Sequence, residues 1–201
     1  LLIILAGESV FILPFVLARI FKPTLLAAFD IDNTELGICF STYGIVAAIS
    51  YLIGGPLADK YPPRILMGGA LILTAVGGFV YATYPSFSML VFLYGYWGFT
   101  TILLFWAAMI KATRVWGGTK SQVLAFGLLD GGRGVISAIV GIFGVLLFSS
   151  GIEGDLVQSA DERQQAFRVV IIASSIFMIL VGLAVMFFLK VDRGESTHDK
   201  L

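Results

Sequence analysis

Six apolar stretches, each long enough to cross a bilayer, leave this 201-residue chain few folds to adopt. A helix needs about 20 predominantly apolar residues to traverse the hydrocarbon layer. Such runs occur at 1–21, 36–57, 65–84, 88–110, 123–148 and 169–189, with Pro, Asp, Lys and turn residues between them. In lipid no water satisfies peptide groups, so a spanning segment must close its hydrogen bonds internally. The expectation is an all-α membrane protein of six transmembrane helices. The alternative is a tightly packed soluble helical protein. Six runs of this length argue against it, as do a charged fraction of 13%, a hydrophobic fraction of 58% and a mean hydropathy of +0.96.

The few charges are informative. Thirteen basic residues balance thirteen acidic ones, so no electrostatic case for a nucleic-acid partner exists. Cys39 is the only cysteine, which excludes an internal disulfide, and the lone His198 sits in a polar tail; no metal-ligand pattern and no cofactor motif is expected. No nucleophile–base constellation is visible, so the chain does not read as an enzyme. Basic residues prefer cytoplasmic loops. Lys60, Arg64, Lys111, Arg114, Lys120, Lys190, Arg193 and Lys200 fall on one side. Arg19, Lys22, Arg163 and Arg168 fall on the other, among Asp30, Asp32, Glu35, Glu153, Asp155, Asp161 and Glu162. Both termini are therefore expected in the cytoplasm, with the 151–167 loop outside.

A repeat lies beneath this pattern. Shifted by 90 residues, Ile12, Leu13, Phe15, Ala18 and Ile20 fall on Ile102, Leu103, Phe105, Ala108 and Ile110. Gly37, Gly44, Ala48, Ile49 and Gly54 fall on Gly127, Gly134, Ala138, Ile139 and Gly144. The third span needs a longer shift, which brings Arg64, Ile72 and Gly78 onto Arg168, Ile176 and Gly182. A three-helix unit crosses the membrane an odd number of times, so its copy is inverted.

Between the second and third spans the chain reads Gly55-Pro56-Leu57-Ala58-Asp59-Lys60-Tyr61-Pro62-Pro63-Arg64. This resembles the signature loop G-x-L-A-D-R-x-G-R-[RK] of the major facilitator superfamily. The resemblance implies a 3+3 inverted repeat forming half of a transporter: a six-helix domain over 1–190, then the start of a cytoplasmic linker at 191–201. It also implies a C-terminal six-helix half beyond this chain and a gating latch made by Asp59, Lys60 and Arg64. The chain opens inside an apolar run, and trimming is expected there. Pro62 and Pro63 depart from the pattern and stiffen the turn. This variant is closest to the sugar-phosphate and glycerol-phosphate permease branch, as are the 33–37 entry to the second span and the run 116–134. The phosphate permeases carry a substrate-binding Arg in the first span where this chain has Phe15; Arg19 lies one turn further out. The drug–proton antiporters carry an Arg in the fourth span where Tyr94 stands. The nitrate porters carry an Asn in a glycine-dense fifth span, where Arg133 stands among Gly131, Gly132 and Gly134.

Three charges fall inside expected spans: Glu8, Asp130 and Arg133. An unpaired charge there is costly, which makes each a functional candidate. Loss of hydration favours a neutral carboxyl group, so Glu8 is the expected proton-coupling residue. Asp130 and Arg133 are three apart on one helical face and either pair structurally or bind and release an anionic substrate. Tyr94, Trp97 and Thr101 offer a stacking and hydrogen-bonding face on the fourth span, Arg19 an additional cation, and Ser41 and Tyr43 weaker sites on the second. Pro14 is expected to kink the first span. The functional expectation is alternating-access transport of a small polar solute, an organic anion, across the inner membrane by proton symport or exchange. The other reading is a stand-alone six-helix scaffold or dimeric membrane protein without transport of its own. The solute and the lipid bilayer are the expected partners.

Overall fold

The structure is a computed structural model, and it describes residues 1–150 and 159–189. Glu153, Asp155, Lys190, Arg193, His198, Lys200 and the expected linker at 191–201 lie outside the described residues. Among those described, the ordered elements are helical. Five helices are long and apolar enough to cross a membrane: Asn33–Lys60, Pro63–Tyr81, Phe87–Gly117, Gln122–Ser150 and Ala160–Phe188. A bent pair, Leu2–Ser9 with Ile12–Ile20, makes a sixth when taken as one span. These are the first to sixth spans in chain order, the bent pair being the first.

The helices overrun the apolar stretches by a turn or more, because amphipathic ends continue the backbone ladder into the polar zones. The second span begins at a capping box, in which Asp32 accepts from the Glu35 N–H and Glu35 accepts from the Asp32 N–H. Such reciprocal caps satisfy two orphan donors of the first turn. Ser159 and Glu162 repeat the device at the sixth span, so residues 160–167, expected in a loop, are helix. A short helix, Lys22–Phe29, also occupies sequence expected to be loop. Pro23 starts it, where a missing N–H leaves no bond unmade. Gln164 Nε2 donates to Ala28 O at 2.9 Å and ties this helix to the sixth span. Tyr84 beside it donates to Gln164 O at 2.5 Å. Burial pushes the Tyr84 hydroxyl up to about 12, against the pull of the Arg168 cation, so it remains a donor at neutral pH. Arg168 stands 5.0 Å over the Tyr84 ring.

The first span bends by 47°. Pro14 has no N–H to close its turn, and the chain widens into a π-helical stretch over Ile12–Val16, with Val16 N–H donating to Phe11 O at 3.2 Å. The fourth span carries its own π-helical stretch, Phe99–Trp106, which overlaps the first when shifted by 90 residues. Position 104 is Leu, so the wide turn recurs without a proline.

Two sets of packing contacts follow the repeat. A Cβ at Gly78 would lie 3.2 Å from Ser175 Cβ, and one at Gly182 would lie 3.1 Å from Leu71 Cβ. A shift of 104 residues exchanges these two contacts, which lie between the third and sixth spans. Likewise Gly98 presses on the backbone of Tyr43, its Cβ position 2.7 Å from Tyr43 O, and Tyr43 shares a 2.7 Å hydrogen bond with Thr101 Oγ1. Exchanged by 90 residues, these pairs become Glu8–Arg133 and Phe11–Arg133. Lipid offers no hydrophobic drive between helices, so small residues that permit close approach hold the bundle together.

Valine at Gly78 or Gly182 is therefore expected to lower stability by about 1–3 kcal/mol, as overpacking does. Gly69→Ala, with nothing within 4 Å of its Cβ position, should be nearly neutral. Thermal melting in detergent checks the contrast.

Candidate functional site

Five residues of the first span and four of the fifth enclose a cleft of about 480 Å³. Glu8, Phe11, Phe15, Val16 and Arg19 face Asp130, Arg133, Gly134 and Ser137 across it. All three intramembrane charges thus converge on one place. Arg133 Nε lies 3.4 Å from Glu8 Oε2, and its Nη1 lies 3.8 Å from Asp130 Oδ1. The first distance is an ion pair without hydrogen-bond geometry, since Nε is buried with no hydrogen-bond partner. The Glu8 side chain is 11% exposed and that of Asp130 77%. Glu8 is therefore the partner whose charge has lost its water, and Asp130 faces the open side of the cleft.

The Arg133 guanidinium is also held by aromatic faces, 5.3 Å over Phe11 and 5.7 Å over Trp106. Such contacts favour a cation more strongly where water is scarce. Gly7 gives the arginine room, because a Cβ there would lie 3.2 Å from Arg133 Cδ.

The expected pairing of Asp130 with Arg133 is present but is the weaker half of a triad. The Glu8–Arg133 pair is not legible in the sequence, because the two residues are 125 positions apart in the chain. The repeat held the signal: Glu8 stands where the second unit has Gly98, and Arg133 where the first has Tyr43.

The fourth-span candidates lie elsewhere. Tyr94, Trp97 and Thr101 are fully buried inside the bundle, away from the cleft. Trp97 Nε1 donates to Thr74 O at 3.1 Å, and its ring sits edge-on to Tyr81 and Tyr94. Thr101 donates to Trp97 O at 2.6 Å. The Tyr81 and Tyr94 hydroxyls are buried without a hydrogen-bond partner. Ser41 is exposed and bonds back to Gly37 O. Tyr43, read as a weak candidate, reaches Phe15 on the cleft wall with ring centroids 4.7 Å apart.

At the other end of the second span, Asp59, Lys60 and Arg64 are exposed, and none makes an ion pair among the described residues. Lys111 Nζ donates to Ala58 O at 2.8 Å, placing a cation on the negative end of the helix dipole. Asp59, Lys111 and Arg114 line a cleft of about 240 Å³, and Lys111 Nζ also donates to Asp59 O at 3.4 Å.

Residues 4–201 match the sequence profile of the Major Facilitator Superfamily. The inner membrane protein YqcE of Escherichia coli (strain K12) is 33% identical over 79% of this chain and 36% of its own length. The inner membrane protein YihN of the same organism is 25% identical over 97% of this chain and 44% of its own. A protein of Chlamydia trachomatis named "Probable hexose phosphate transport protein" is 32% identical over 36% of this chain and 16% of its own. The chain spans less than half the length of these relatives. No solved structure matches.

Removing Arg133 leaves the buried Glu8 carboxylate alone, so Arg133→Ala is expected to cost about 3–5 kcal/mol, as breaking a buried pair does. Asp130→Asn, at an exposed carboxylate, should stay within about 0.5 kcal/mol. The Glu8→Gln, Arg133→Met double variant should recover most of the loss. Denaturation of the three variants in one detergent checks the order.

Proposed function

Because this chain belongs to the major facilitator superfamily, we propose that it is the six-helix N-terminal domain of a secondary active transporter that moves a small organic anion. The observation that supports this reading is the cation of Arg133, held in a cleft between the first and fifth spans by Glu8 and two aromatic rings. A guanidinium so placed offers a planar fork to an entering carboxylate or similar group. The entering anion takes over the role of Glu8, and Glu8 accepts a proton, so that the cleft's charge is unchanged. This couples anion binding to proton uptake and makes binding tighten as pH falls. Asp130, solvated at the cleft mouth, competes for Arg133 and assists release. Arg19 adds a second cation to the lining of the same cleft.

Transport proceeds by rocking of this domain against a second six-helix half around the cleft, the behaviour expected of repeat-built transporters. Asp59, Lys60 and Arg64 are the latch: exposed at the tip of the second and third spans, they pair with the opposite half in one state and part in the other. The positive loops orient this end toward the cytoplasm of an inner membrane. The fully packed Tyr94, Trp97 and Thr101 reach a solute only after the bundle shifts, and they act in the proposal as the support behind Tyr43.

The test is uptake and binding by the full-length protein in proteoliposomes. Arg133→Gln should abolish anion binding while the protein still folds with Glu8→Gln beside it. Glu8→Gln alone should bind the anion with no dependence on pH. Asp59→Asn should bind normally but transport at least several-fold more slowly. Full anion binding by the Glu8→Gln, Arg133→Gln protein would sink the reading.

A further inference from the structure

We infer that the cleft selects a monoanion with a ring-shaped body, flat or rich in C–H groups, over a small acyclic anion or a phosphate dianion. The inference rests on the anion reading of Arg133 given above. Its own evidence is the wall between the charges. Glu8, Phe11, Phe15 and Arg19 all line one cleft from the first span, its two charged residues on either side of the bend. Between them stand two half-buried rings, Phe11 and Phe15, with centroids 6.2 Å apart.

These rings are fixed rather than loose. Phe15 stacks on Phe40 at 5.6 Å with 16° between planes, and meets Tyr43 edge-on at 4.7 Å. Phe11 meets Trp106 edge-on at 6.2 Å. Each therefore lines the cleft in a set position, at little entropic cost when a solute docks, with one face of Phe15 taken by Phe40 and one face of Phe11 by the Arg133 guanidinium. An aromatic face attracts a second ring or the C–H edge of a saturated one, and it offers nothing to a small acyclic anion. The solute's charged group lies at Arg133 and its body lies along Phe11 and Phe15 toward Arg19.

Charge sets the valence. The two arginines of the cleft face two carboxylates, Glu8 and Asp130. Protonation of Glu8 leaves one positive charge in excess, enough for one negative charge on the solute. A dianion would bring a second charge against the exposed Asp130 carboxylate at the mouth.

The experiment is equilibrium binding to the full-length protein in detergent at constant ionic strength. Benzoate and glucuronate serve as ring monoanions, acetate as an acyclic monoanion and glucose 6-phosphate as a ring dianion. Either ring monoanion should bind at least about tenfold more tightly than acetate and than glucose 6-phosphate, a margin that ring contacts of this kind supply. Phe15→Leu should erase the advantage over acetate, with Phe11→Leu as the second variant should Phe15→Leu fail to fold. Tighter binding of glucose 6-phosphate, or a ring preference that survives both leucine variants, overturns this inference and leaves the anion reading of Arg133 standing. Binding of none of the four probes overturns both together.

Discussion

A membrane interior supplies neither hydrogen bonds for the backbone nor a hydrophobic drive between helices, and the rest of this structure depends on that double absence. The first lack confines the chain to helices. Where a helix is broken, as at Pro14, the backbone closes a wider π turn rather than leave carbonyls unpaired. The second lack moves the work of association onto close contact and buried polarity. Gly78 and Gly182 bring the third and sixth spans together, and the Tyr43–Thr101 and Thr74–Thr100 hydrogen bonds join neighbouring spans. Arg133 and Glu8 are the extreme case. Each would be prohibitive alone, and each is tolerable because the other lies across the cleft.

The two-fold repeat explains why the charges meet where they do. A contact between the second and fourth spans has an equivalent between the fifth and first. In one copy it is an apolar approach of Gly98 to Tyr43, closed by a hydroxyl hydrogen bond. In the other the same positions hold Glu8 and Arg133. Symmetry supplied the geometry and substitution supplied the chemistry, so one copy props the bundle and the other opens a charged cleft.

The helix count, the placement of the spans and the repeat were legible because periodicity and apolar length speak directly to lipid. Loop contents were less so: Lys22–Phe29 and the start of the sixth span are polar helices held by caps and by Gln164, which apolar length does not register. Of the site, the charges Glu8, Asp130 and Arg133 stood out as misfits in apolar runs, and they do share one cleft with Arg19. The partner of Glu8 was not legible, since a contact 125 residues apart depends on tertiary packing. Tyr94 and Trp97 lie packed away from the cleft, and this was not legible for a physical reason. An aromatic stripe on a helix looks the same in sequence whether it faces a cavity or, as here, the third span.

In the proposed mechanism an anion and the Glu8 carboxylate exchange places at Arg133, with a proton taken up as they do. Proton uptake on ligand binding measures this directly, using full-length protein in weakly buffered detergent solution with a pH indicator. Proton uptake on anion binding is the expected result, vanishing in Glu8→Gln while binding persists. Saturable anion binding by the wild-type protein with no proton uptake across the pH range would contradict it.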